Sequence, residues 1–69
     1  MDIATKIRMA CAAQRISEAE LARRLGTTPS AFNQRMKTGK FTSAELEKIA
    51  SALGVEYVMH FVLPDGNII

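Results

Sequence analysis

A single cysteine, Cys11, leaves this chain with no internal disulfide to staple it, and a lone histidine, His60, leaves it without a Cys/His set of metal-ligand spacing. Cys11 falls at an apolar helical position and reads as a small buried hydrophobe, with a reactive thiol as the alternative. There is no glycine-rich phosphate loop and no nucleophile motif, and His60 has no acid–base partner visible in the sequence. An enzyme is therefore not expected, nor is a cofactor, a metal or a small-molecule ligand. No uncharged apolar run is long enough to span a bilayer, and Asp2, Lys6 and Arg8 interrupt the first residues, so neither a leader nor a membrane segment is expected. Sixty-nine residues without a disulfide suit one small domain in a reducing cytoplasm.

Charge is present but unevenly placed. Residues 1–40 hold eight bases and three acids, a balance of +5, whereas residues 41–69 hold one base and four acids, a balance of −3. The basic front half points to a polyanionic partner. The plain alternative is a solvated surface with uneven charge.

Four helices are written into the first 54 residues, largely by their ends. Ile3, Ile7, Ala10, Cys11 and Gln14 share one face of a first helix running from about Asp2 to Gln14. Ser17-Glu18-Ala19-Glu20 has the form of a capping box opening a second helix, with Ile16 and Leu21 as a hydrophobic staple and Gly26 as a left-handed stop. Thr28-Pro29 is an N-cap followed by the favoured first helical residue, opening a third helix whose Phe32 and Met36 share a face and which ends at Gly39. Thr42-Ser43-Ala44-Glu45 is a second capping box, with Phe41 and Leu46 as its staple. The helix it opens buries Leu46, Ile49, Ala50 and Leu53 and stops at Gly54. After Gly54 the period changes to two. Val55 to Leu63 predicts a strand, Pro64-Asp65-Gly66-Asn67 a turn, and Ile68-Ile69 a possible return strand. The fold expected is mainly α: a four-helix domain over residues 1–55, then a β segment over 56–69.

The caps Ser17 and Thr28 stand eleven residues apart with Gly26 between them. That is the length of a helix-turn-helix unit, whose second helix stands off the first and can enter a DNA major groove. Ala22, four before the glycine, is small where such helices cross. Arg35, three after Phe32, falls where an apolar residue is usual. Met36 is expected to take over that packing and push Arg35 to the surface.

The stretch from Ile16 to Phe32, ISEAELARRLGTTPSAF, followed by Lys37-Thr38-Gly39-Lys40-Phe41 and by Glu45 to Val55, resembles the phage repressor-like helix-turn-helix family of the Cro/repressor or xenobiotic-response-element type. The resemblance covers about residues 3–55. It implies a four- or five-helix domain and a sequence-specific transcription regulator of phage, mobile-element or antitoxin type, binding double-stranded operator DNA as a dimer. Carried over, it implies base contacts from Thr28, Pro29, Ser30, Asn33, Gln34 and Lys37, and phosphate contacts from Ser17, Thr27, Arg35, Thr38 and Lys40. The residue types suit this: side-chain amides pair with adenine, and lysine with guanine or phosphate. Pro29 stands where members often carry glutamine, Glu18 where an amide or hydroxyl is common, and the β segment where a fifth helix is usual. Both faces of that segment are apolar, which predicts a homodimer paired through it; an intramolecular hairpin is the alternative. A protein-interaction adaptor on the same fold is the rival function.

Overall fold

The computed structural model describes residues 2–69 and is mainly helical, with four helices and almost no strand. The helices are α1 (Ile3–Gln14), α2 (Glu18–Arg24), α3 (Pro29–Thr38) and α4 (Ser43–Leu53). Each begins where a side-chain oxygen accepts from the backbone three residues on: Asp2 from Thr5, Ser17 from Glu20, Thr28 from Ala31, and Thr42 from Glu45. These bonds satisfy amides that the first turn of a helix leaves without partners.

The box at α4 is closed, since Glu45 Oε1 accepts from the Thr42 amide at 3.0 Å. The box expected at α2 is not. Glu20 turns outward instead, its two carboxylate oxygens taken by Arg23 and Arg24 at 3.2 and 3.3 Å. Two arginines one turn ahead outbid a single backbone amide for that carboxylate.

Gly26, at φ +79°, turns the chain from α2 toward α3. Its amide reaches the Arg23 carbonyl and the Thr27 amide reaches that of Ala22, the paired bonds of a Schellman stop. Arg15 does the same for α1 at φ 55°, a left-handed position held without glycine. The last turn of α4 is finished from outside: Arg24 donates to the Ala52 carbonyl at 2.9 Å, and the Gln14 amide to Leu53 at 3.0 Å.

The core is Ala4, Ile7 and Cys11 of α1, Leu21 and Ala22 of α2, Phe32 and Met36 of α3, and Ile49 and Leu53 of α4. Leu21 and Ala22 are fully buried where α2 lies among the other three helices. Burial also pushes the Cys11 thiol up, which keeps it a protonated hydrophobe.

Beyond Gly54 the expected nine-residue strand is absent. Val55 and Tyr57 are half-buried, and every residue from Val58 to Ile69 is exposed. The β structure is one antiparallel bridge between Val62 and Ile68, closed by mutual bonds of Phe61 with Ile69 and by Leu63 to Asn67. Asp65 accepts from the Asn67 amide and side chain within the turn. The period-two pattern is real, but a ladder needs a partner strand, and in the described residues only Phe61 to Leu63 find one, in residues 67–69. The molecule measures 44 × 23 × 20 Å. A twelve-residue helix is only about 18 Å long, so the C-terminal segment projects as an arm.

Candidate nucleic-acid interface

α3 buries a single stripe, Phe32 and Met36, and turns the rest of its surface outward. That follows from its composition: in ten residues only two large apolar side chains lie four apart, so one narrow seam faces the core. On the opposite side Ser30, Asn33, Gln34 and Lys37 fall at helical spacings of zero, three, four and seven, one continuous row. All four are exposed, and their side chains enter no hydrogen bond or ion pair among the described residues. Thr28 and Pro29 are exposed at the head of the row, with the Thr28 hydroxyl oxygen already accepting from Ala31.

The expected phosphate-contacting residues lie at several places. Ser17 is exposed ahead of α2, its hydroxyl oxygen bonded to the Glu20 amide at 3.0 Å. Thr27 is half-buried in the turn between α2 and α3. Thr38 and Lys40 are exposed at the exit of α3, where the Thr38 hydroxyl donates to the Arg35 carbonyl and accepts from the Lys40 amide. Arg35 is exposed as expected, with Met36 buried in its stead. Its guanidinium is engaged by the protein, however: it meets Glu45 Oε2 at 2.6 Å, donates to the Lys40 carbonyl at 2.9 Å, and lies 5.1 Å above the Phe41 ring.

Electrostatics sharpen the picture that composition drew. Every ion pair among the described residues uses arginine: Arg8 with Glu18, Arg23 and Arg24 with Glu20, and Arg35 with Glu45. Much of the front half's charge is thus answered within the fold. Lys37 and Lys40 have no such partner among the described residues, and no acid lies between Leu21 and Ala44. The exposed row on α3, through Lys37, and the exit of α3, through Lys40, therefore carry positive charge that no acid of the described chain answers. The Glu45 carboxyl is held below its usual range by the Thr42 amide and then by the Arg35 guanidinium, and Glu20's is held below its own by Arg23 and Arg24. Both stay charged well into mild acid.

Sequence reasoning missed Phe41 and Glu45 as the partners of Arg35. Arg35 and Glu45 are ten residues apart and on different helices, so no local spacing announces the pair. Among the described residues no helix is long and apolar enough to cross a membrane. The chain matches no family model, no curated protein and no solved structure.

Proposed function

We propose that the chain is a sequence-specific DNA-binding transcriptional regulator that works as a homodimer, with α2 and α3 as its helix-turn-helix unit and α3 read into the major groove. The observation that carries this reading is the row Ser30, Asn33, Gln34 and Lys37: exposed, polar, free of acids and bonded to nothing else in the described chain. An α-helix fits the major groove, and amides and a lysine are donors and acceptors suited to adenine and guanine edges. Lys40 and the Thr27 hydroxyl supply phosphate contacts in this reading, whereas the Thr38 hydroxyl has its proton on the Arg35 carbonyl and is not free to donate.

The second copy is proposed from the arm. Val58, Met59, Phe61, Val62, Ile68 and Ile69 are each 64–75% exposed. Together they offer an apolar area on the order of what one partner gives to a standard interface, about 800 Å². Val62 and Ile68 share one face of the hairpin, while Phe61 and Ile69 share the other, so one cover cannot bury both. In this proposal a second arm about a twofold axis covers one face and the partner's helical body the other, an arrangement suited to two recognition helices about 34 Å apart on a palindromic site.

The test is selection from random duplexes, followed by affinity on the winning site over a range of salt. We expect a palindromic site bound by two chains, with log affinity falling against log salt by about 0.9 for each phosphate neutralised. A flat salt dependence, or no retention on duplex at low salt, removes this reading and leaves a protein-interaction adaptor on the same helices.

A further inference from the structure

α3 packs most extensively on α2, and an open groove runs between it and α4. The cavity between α2, α3 and α4, about 470 Å³, is bounded by Leu25, Phe32, Arg35, Phe41, Glu45 and Ile49. Tight packing would fix the angle between two helices. Here Phe32 and Met36 pack α3 into the core, and the groove leaves the rim beside them to polar ties.

Arg35 spans it. Its guanidinium takes Glu45 of α4, the carbonyl of Lys40 and the face of Phe41, whose ring stands 6.4 Å from that of buried Phe32. The Arg35 carbonyl also receives the Gly39 amide and the Thr38 hydroxyl. Glu45 closes the α4 cap with its other oxygen. One residue thus ties the last turn of α3 to the link that leaves it and to the first turn of the next helix. At about 100° per residue, Arg35 lies roughly 150° around α3 from the middle of the Ser30–Lys37 row. A side chain on that side of a helix lodged in a groove faces its own protein.

We infer that Arg35 is a positioning residue: through Glu45, Phe41 and the Lys40 carbonyl it sets the angle at which α3 presents its row, and it serves DNA recognition without touching a phosphate. The inference rests on the DNA-binding reading proposed above.

The decisive variant is Glu45→Gln, because glutamine keeps the capping box and loses the ion pair. Arg35→Gln and the double variant complete a cycle. Each is measured on the selected site and on unrelated duplex, across salt, with helix content followed in the same buffer. If Arg35 positions α3, Glu45→Gln weakens specific binding by roughly tenfold, the loss of about one well-made base contact. It does so although it removes an acid from a DNA-binding surface. Binding to unrelated duplex and the salt slope stay as in the wild type, and the double variant loses no more than Arg35→Gln.

If Arg35 is instead a phosphate contact, Arg35→Gln shallows the slope by about one while Glu45→Gln binds as tightly as the wild type or more tightly. That result overturns the inference, as does a loss wholly accounted for by unfolded protein. Wild-type protein that fails to bind duplex at all overturns the DNA-binding reading itself, so the two failures are told apart by the first lane of the experiment.

Discussion

Replacing Asn33 or Gln34 should cost the fold little, because both are exposed and neither side chain makes a hydrogen bond or ion pair among the described residues. Alanine at either should cost about 1–3 kcal/mol in specific binding if the residue reads a base. The melting temperature should be unchanged, and a clear drop in it with full operator affinity would make the residue structural. Phe32, one position away, behaves in the opposite sense. It is 4% exposed, and Phe32→Ala should destabilise by about 3–5 kcal/mol, enough to unfold so small a domain in a thermal melt. The sequence distinguishes these neighbours because a two-residue apolar stripe fixes which way α3 turns. Arg35 is harder to read. Its place on the helix is legible, but its partners are not, since ion-pair geometry across a turn depends on how two helices sit. Glu45 adds a pH dependence of known sign. Its carboxyl is depressed in the folded chain, so its stabilisation is present above the ordinary glutamate range and is lost as pH falls through the depressed value. Melting of Glu45→Gln should therefore fall off less steeply in acid than that of the wild type.

The helices announce themselves by their starts, and those starts differ in construction. At α4 the Thr42 hydroxyl and the Glu45 carboxylate each bond the other's amide. At α2 the Ser17 hydroxyl acts alone, and Glu20 serves Arg23 and Arg24. Thr42→Ala and Ser17→Ala should each cost about 1 kcal/mol. Combined with Glu45→Ala and Glu20→Ala respectively, the first pair should be non-additive and the second additive, which double-mutant cycles in chemical denaturation will show. The two motifs are indistinguishable as strings, Ser-x-x-Glu and Thr-x-x-Glu. What separates them is the arginine pair at Arg23 and Arg24, whose competition for the carboxylate no capping rule includes. The C-terminal strand fails for a related reason. Alternation from Val55 to Leu63 describes one segment, whereas a ladder is a property of two, and among the described residues the only bridge joins Val62 to Ile68. Where an element depends on its own residues alone the sequence suffices; where it depends on a distant partner it does not.

At the scale of the molecule, the helical body and the arm are separable in their burial. Nothing from Val58 to Ile69 belongs to the core. Phe61, 75% exposed, can accordingly take a charge without unfolding the body. Phe61→Asp should leave the helical signal and its melting intact. It should also turn a dimer into a monomer by sedimentation at micromolar concentration, and weaken binding to a palindromic site while sparing a half-site. A wild-type monomer under the same conditions, or a variant dimer, would mean that the arm is not the interface.

The four self-contained caps bear on time as well as on stability. Each helix carries its own start within four residues, the links are short, and contacts between residues far apart in sequence are few. Chains built this way pay little loop-closure entropy before their contacts form, and comparable helical domains fold in microseconds to milliseconds. The body should therefore reach its folded form in a single fast, concentration-independent phase. If the arms pair two copies as proposed, that pairing should follow as a slower phase whose rate rises with protein concentration, between chains that are already folded.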